Sequence, residues 1–183
     1  SSRLLFFYGS LIHPKVLLRV IGGGGGGGES EEKKVRSMRW RRATLQGHRA
    51  VKVKGEDYPA CIRNEGEVQG WIVEGLCEED VRALDFFEGE EYLRVKCKVQ
   101  CRGKEGWRGW REREEELDRG VVWGEEGEGG EEEGVEMYLW RDEFRERLLV
   151  EQDWEFEEFL RSKAKEWVGE GRIKMEDEYE SVD

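Results

Sequence analysis

The segment LLFFYGSL, residues 4–11, decides how the chain is expected to fold. Its apolar and aromatic residues in succession predict a short buried strand, because a brief apolar run closed by a turn signal is typical of a strand covered on both faces. Glycine and serine directly after the run predict a tight turn. The chain is therefore expected to begin with a strand that ends in the turn Tyr8-Gly9-Ser10-Leu11.

A helix and a glycine-rich insert follow this turn. Pro14 suits the first turn of a helix, and apolar residues then recur at helical spacing until Gly22 ends the pattern. Consecutive glycines and an acidic stretch predict a flexible insert over about residues 22–36. A phosphate-binding loop would need Gly-Lys-Ser or Gly-Lys-Thr here, and the carboxylates that follow the glycines would repel a phosphate.

The composition argues against several classes of protein. The chain has 183 residues with 31 basic and 43 acidic side chains, which gives a net charge of −12. This balance argues against non-specific nucleic-acid binding, which depends on basic residues. No apolar stretch is long enough to span a bilayer and no secretory leader is visible, so we expect a cytoplasmic protein without a membrane partner.

The sequence predicts neither a metal site nor a bound cofactor. The four cysteines form no CxxC pair, and with only two histidines available no metal-ligand spacing is present. We interpret the cysteines as reduced, mostly packed thiols, as is usual in a reducing compartment.

The middle of the chain has β character. Strands are predicted over residues 43–45, 50–53, 58–62, 68–76, 92–101 and 135–140, with the first turns at Gly47 and Gly55. Consecutive strands are close enough to pair as hairpins. With about three helices, this pattern predicts an α+β fold with a curved, mixed or mainly antiparallel sheet.

Two more helices and a second insert complete the expected organisation. Residues 78–87 predict a helix that starts on acidic residues and ends at Gly89. Asp153 is a plausible N-cap for a last helix, whose apolar face would hold Phe156, Phe159, Leu160, Ala164 and Trp167. Between them, residues 102–134 form a charged, glycine-rich insert of which the tryptophan-containing parts could dock. We expect one domain over residues 1–172, followed by an acidic tail over residues 173–183.

Several short motifs in this order carry a family resemblance. They are the turn at residues 8–11, YPA at 58–60, VQG at 68–70, LDFFEG at 84–89 and EQDWEF at 151–156. Together they resemble the γ-glutamylcyclotransferase-like superfamily, and more closely its plant-pathogen-induced and fungal branch. The resemblance covers roughly two thirds of the chain and leaves both low-complexity inserts outside it.

The resemblance implies a fold, an activity and site residues. The fold would be a small mixed β-barrel with flanking helices around a cavity, in which Tyr8, Gly9, Ser10 and Leu11 bind the glutamyl part of a substrate through backbone amides. By its position in the family pattern, Glu88 would be the general base of an intramolecular aminolysis that releases 5-oxoproline and an amine. No metal or other cofactor would be needed, and the partner would be a small γ-glutamyl molecule.

The physics of these residues agrees, while alternatives stay open. A glycine allows close approach to the backbone, and successive N–H groups of a turn can bind an anion. Tyr92 could support the site by a hydrogen bond to Glu88 or to the substrate, and Arg94 could pair with an acid on the neighbouring strand, although packing explains both residues equally well. Glu88 could instead be a solvated helix-end residue.

Two other functions are compatible with the sequence. The same fold could serve a non-catalytic binding or stress-response protein, since folds are reused for unrelated tasks. The aromatic C-terminal helix could also form an interaction surface, although its spacing favours core packing. Nothing in the sequence selects the leaving amine or an oligomeric state. If the enzymatic interpretation holds, Glu88 and the turn at residues 8–11 must face one cavity.

Overall fold

A closed five-stranded β-barrel forms the centre of the protein in the computed structural model, which describes residues 3–22, 29–103, 106–124, 130–162 and 166. The barrel strands are β1 (Arg3–Phe7), β2 (Arg39–Val53), β3 (Pro59–Leu76), β4 (Tyr92–Cys101) and β6 (Glu132–Trp140). They follow the order β3-β1-β6-β4-β2, and pairing between β2 and β3 closes the circle. Only β1 and β6 run parallel among these pairs, so the barrel is mixed, as the sequence predicts.

Two shorter strands extend the sheet beyond the barrel. Strand β5 (Arg108–Gly109) and strand β7 (Leu148–Asp153) both pair with β2 in antiparallel fashion. The prediction that Asp153 is the N-cap of a helix is therefore wrong. Asp153 ends β7, where it pairs with Val51, and its carboxylate accepts a hydrogen bond from Arg49. The local pattern misled because a polar residue before an apolar run is equally suited to end an edge strand.

Strands β2 and β3 form one long hairpin, whereas the sequence predicts four short strands in this region. The sequence predicts a turn at Gly47. In the structure both strands continue past this residue, and the register shifts between the pairs Gln46–Glu67 and His48–Arg63. Gly47 has φ +73°, a value that favours glycine. The glycine thus serves a β-bulge inside one long strand rather than a chain reversal.

The barrel separates two apolar clusters. The inner cluster contains side chains from the five barrel strands, among them Phe6, Tyr8, Leu45, Val68 and Met137. The outer cluster joins the opposite faces of the same strands to the helices, and includes Leu5, Phe7, Trp40, Trp71 and Leu84. Alternation along β1 therefore sends Phe6 and Tyr8 inward, while Leu5 and Phe7 pack under the helices.

Five α-helices in the described part of the chain flank the barrel. They are α1 (Pro14–Gly22), α2 (Glu29–Ser37), α3 (Glu78–Glu88), α4 (Trp110–Asp118) and α5 (Phe156–Ser162). Helices α1 and α3 match their predicted bounds within a residue, and α5 buries Phe156 and Phe159 as expected. Residues 164 and 167, which the sequence places on the same face as these two, lie outside the described residues, as do the tail at 173–183 and most of the glycine run.

Helix α2 corrects the prediction of a flexible insert over residues 22–36 from Glu29 onward. Helix α4 begins at Trp110 and agrees with the expectation that the tryptophan-containing parts of residues 102–134 could dock. Lys34 of α2 forms an ion pair with the buried Asp80 at the start of α3. In α4, the fully buried Arg113 lies over the ring of Trp71, with its guanidinium carbon 3.8 Å from the ring centroid. These tertiary contacts stabilise helices whose sequences are too polar and too short to be helical alone.

Candidate active site

A cavity of about 240 Å³ opens between the end of β1, the end of α3 and the start of β3. Its lining includes the whole turn of residues 8–11, the segment 86–89, and Tyr58, Pro59, Glu91, Tyr92 and Tyr138. The structure thus brings Glu88 and the turn to one cavity, although about eighty residues separate them in the chain. Eight of the lining side chains are aromatic, and four of these are tyrosines.

The turn after β1 is a short 3₁₀ helix over Ser10–Ile12. Ile12 and His13 donate their backbone N–H groups to the carbonyls of Gly9 and Ser10, at 2.9 and 3.1 Å. The N–H groups of Ser10 and Leu11 come too early to bond within such a turn. They are therefore the backbone donors that the turn can offer to a bound molecule.

Gly9 is required by the close approach of Pro59. A Cβ atom on Gly9 would lie only 2.7 Å from Cγ and 2.8 Å from Cδ of the proline ring. Any side chain here would push the turn away from the start of β3. The glycine of the first motif and the proline of the second thus meet in space, which explains why both belong to the same pattern.

Glu88 is the last residue of α3, and its side chain is half-buried in the cavity wall. The pKa of its carboxyl is raised from 4.5 to about 8, chiefly by burial and then by the negative charge of Asp85, one helical turn earlier. Gly89 ends the helix with φ +82° and donates its N–H to the carbonyl of Asp85 at 3.1 Å. A carboxyl group with this pKa can both accept and return a proton near neutral pH.

Asp85 is fixed by two partners. The guanidinium of Arg94 donates to both of its carboxylate oxygens, at 3.0 and 3.3 Å, and the hydroxyl of Tyr138 donates to Oδ1 at 2.7 Å. Arg94 also binds Glu136 on the neighbouring strand, which is the pairing expected from the sequence. These contacts tie the last turn of α3 to the barrel.

A network of ion pairs links Asp85 and Arg94 to Glu136 and Arg3. Glu136 accepts hydrogen bonds from both Arg94 and Arg3. Burial alone would raise the pKa of Glu136, but the hydrogen bonds from the two arginines hold this pKa below its ordinary value. Glu136 therefore stays ionised and helps to keep Arg94 in place beside Asp85.

Tyr8 and Tyr92 form part of the cavity wall, and the hydroxyl of each donates a hydrogen bond to a backbone carbonyl. The Tyr8 hydroxyl donates to the carbonyl of Tyr138 at 2.7 Å, and the Tyr92 hydroxyl donates to the carbonyl of Pro59 at 2.6 Å. Burial is the main cause that raises the pKa of both phenols, so both remain protonated donors. Tyr92 does not bond Glu88, which was one of its two expected roles, and its ring packs edge-on against Trp140 at 5.1 Å.

Tyr58, Tyr138 and Glu91 are among the cavity residues that the sequence analysis did not name as site residues. Tyr58 and Tyr138 read as ordinary strand aromatics, and Glu91 as one more acid in an acidic chain. Tyr58 has a pKa raised to about 12, chiefly by burial and then by the charges of Glu56 and Glu91. Only the position of Tyr58 beside Pro59 could have signalled its place, since no periodicity marks a cavity wall.

Within the described part of the chain, no group of histidine, cysteine or acidic residues has the geometry of a metal site. No described helix is both long and apolar enough to cross a membrane. All four cysteines are free; Cys61 and Cys101 are buried, and Cys77 is exposed.

Residues 5–156 match the family described as gamma-glutamyl cyclotransferase, AIG2-like. The chain belongs to this family. The match extends from the first barrel strand to the start of α5 and includes every residue that lines the cavity. The comparisons assign the family without separating a plant branch from a fungal one.

Individual relatives come from Arabidopsis thaliana. Protein AIG2 C is 24% identical over 177 residues, which cover 96% of this chain and 83% of the relative. AIG2-like protein B is 41% identical over 58 residues, 31% of this chain and 34% of the relative. Among solved structures, a solution structure of another Arabidopsis thaliana protein has a TM-score of 0.51 at 24% identity and covers 97% of this chain and 93% of that one. This protein and the Arabidopsis thaliana protein therefore share the same fold.

Proposed function

We propose that the protein is a cofactor-independent cyclotransferase that acts on small γ-glutamyl amides and releases 5-oxoproline and an amine. The observation that carries this proposal is the position of Glu88, a half-buried carboxyl with a pKa near 8, in the same cavity as the turn at residues 8–11. Membership of the gamma-glutamyl cyclotransferase, AIG2-like family supports the same class of reaction. A cavity of about 240 Å³ suits a group of glutamyl size.

Binding is assigned to the turn of residues 8–11. The glutamyl α-carboxylate would accept hydrogen bonds from the N–H groups of Ser10 and Leu11, which the turn leaves available. Gly9 allows this backbone to approach Pro59 closely. The aromatic walls would cover the methylene groups of the glutamyl chain and exclude water from them.

Proton transfer is assigned to Glu88. Its carboxylate takes a proton from the glutamyl α-ammonium group, and the freed nitrogen attacks the γ-carbonyl carbon to close a five-membered ring. Protonated Glu88 then returns the proton to the leaving nitrogen as the bond between that nitrogen and the γ-carbon breaks. The new ring nitrogen passes its second proton through the Glu88 carboxylate to the released amine, which leaves as an ammonium ion. Both reacting groups belong to one molecule, so holding them in a folded geometry supplies much of the rate.

A direct assay tests the proposal. The protein is incubated with a panel of γ-glutamyl amides, and 5-oxoproline is measured together with the released amine in equal amounts. Turnover of at least one amide supports the enzyme, and binding without turnover would instead favour a non-catalytic binding or stress-response protein on the same fold.

The rate should rise with pH through the titration of Glu88. With a pKa of about 8, roughly a tenth of Glu88 is ionised at pH 7, so kcat/KM should increase about tenfold before it levels off above pH 8. The variant Asp85→Asn removes the charge that adds to the shift and should move the inflection to lower pH. Glu79→Gln, at an exposed position in the first turn of α3, is the matched control and should leave the inflection in place. A flat profile would contradict the role of Glu88.

A further inference from the structure

We propose that the released amine carries an apolar chain and no carboxylate, and that Glu91 and Phe86 select for such amines. This inference rests on the proposed function and names the substrate class of the same site. It comes from the charge and the polarity at the mouth of the cavity, which the chemistry at Glu88 does not use.

The lining of the cavity offers no partner to a leaving group with a carboxylate. The described residues that line the cavity include two acids, Glu88 and Glu91, and no lysine, arginine or histidine. A carboxylate on the leaving amine would therefore lose hydration as the amide enters and find no basic side chain in the lining to compensate for it. An amine without a carboxylate avoids this cost.

Glu91 is already paired with an arginine. Arg147 donates to Oε1 of Glu91 at 3.2 Å, and its guanidinium carbon lies 4.7 Å from the ring centroid of Phe144. Both side chains of this ion pair are partly exposed, so the pair sits at the rim of the cavity. Glu91 thereby engages the guanidinium of Arg147, so this charge is not available to a carboxylate of the leaving amine.

Phe86 supplies an apolar surface beside this rim. Its side chain is 71% exposed and lines the cavity, next to Phe87 and Tyr58. An aromatic ring left in water at the mouth of a cavity gains free energy when an apolar chain covers it. Leu93 is the other large apolar side chain exposed in the described residues, at 44%, and it does not line the cavity.

A matched pair of substrates tests the selection against a carboxylate. γ-Glutamyl-pentylamide and γ-glutamyl-norleucine differ by one carboxylate on the leaving amine, and 5-oxoproline release is measured for both. We expect kcat/KM to be at least about tenfold higher for the pentylamide. An equal or reversed preference would overturn this inference and leave the cyclotransferase standing. No turnover of either amide, nor of γ-glutamyl-methylamide, would refute the proposed function and this inference with it.

Glu91→Gln tests the residue that sets the charge. Glutamine can still accept a hydrogen bond from Arg147, but the rim gains one positive charge. The preference should shift toward γ-glutamyl-norleucine by about threefold to thirtyfold, as expected for one charge at roughly 8 Å. Glu90→Gln changes the neighbouring exposed acid, which does not line the cavity, and should leave the ratio unchanged. Equal shifts in both variants would mean that Glu91 has no special role.

Phe86→Ala tests the apolar contact. Loss of roughly 40 Å² of apolar contact should lower kcat/KM for the pentylamide about fivefold more than for the methylamide, whose amine is too short to reach the ring. Leu93→Ala is the matched control and should change both substrates equally. A loss in Phe86→Ala that is the same for both amides would overturn the assigned contact.

Discussion

Replacing Glu88 by glutamine is expected to lower the release of 5-oxoproline by ~10²–10⁴-fold, the usual cost of losing a general base. Glutamine keeps the size of the side chain and its hydrogen-bonding reach, but it cannot take the proton from the α-ammonium group. The loss should appear in kcat, while binding of the γ-glutamyl amide persists. The measurement is a steady-state assay of 5-oxoproline beside calorimetric binding of the same amide. Equal turnover by the variant would place the base elsewhere in the cavity.

Thermal unfolding across pH is the control that separates this loss from misfolding. The pKa of Glu88 is raised to about 8, so the folded parent retains a proton that the unfolded chain releases at about 4.5. The stability of the parent therefore falls between pH 4.5 and 8, and the glutamine variant escapes this fall. Since Glu88 is only half-buried, the difference should be on the order of 2 kcal/mol above pH 8, or about 4–8 °C in Tm. A variant less stable than the parent at pH 9 would contradict the raised pKa.

Gly70→Ala is expected to destabilise the barrel by ~3 kcal/mol, which corresponds to a fall in Tm of about 6–12 °C. A Cβ atom at this position would lie 2.4 Å from the carbonyl oxygen of Phe7 and 2.5 Å from Cζ of Phe6. Neither neighbour can move freely, because Phe7 is held in the pairing of β1 with β3 and the Phe6 ring is fully buried. The clash also displaces the residues that lead into the turn at Tyr8, so activity should fall with stability.

Gly134→Ala is the matched control for this substitution. Gly134 is also in a barrel strand, and a Cβ atom there would meet no atom within 4 Å. Its effect should stay within ~0.5 kcal/mol. Circular dichroism melts of the two variants make the comparison, and similar melts would show that β1 and β3 do not approach as closely as described.

Local patterns in the sequence were enough to predict several of the main strands and helices. The apolar run of residues 4–8, the helical spacing after Pro14 and the alternation of residues 92–101 each predict their element within about a residue. Periodicity and turn chemistry act over a few residues, and therefore they are legible in the chain itself. The sequence also singled out Glu88 and the turn at residues 8–11 through motifs that keep a fixed order.

Long-range contacts decided the rest. The helices in the two inserts form because Lys34 meets Asp80 and Arg113 lies over Trp71, and neither pairing has a signal in the local sequence. Closure of the barrel depends on pairing between strands that are far apart in the chain. Tyr58, Tyr138 and Glu91 became cavity residues only once that closure was known.

The difference is clearest at Glu88. The sequence by itself determined that a glutamate ends helix α3 before a glycine, and that a tight turn follows the first strand. Only the tertiary structure decided that the two share a cavity and that the carboxyl loses enough water to raise its pKa. Desolvation depends on what surrounds a group in space, and the surroundings of Glu88 come from strands and turns distant in sequence.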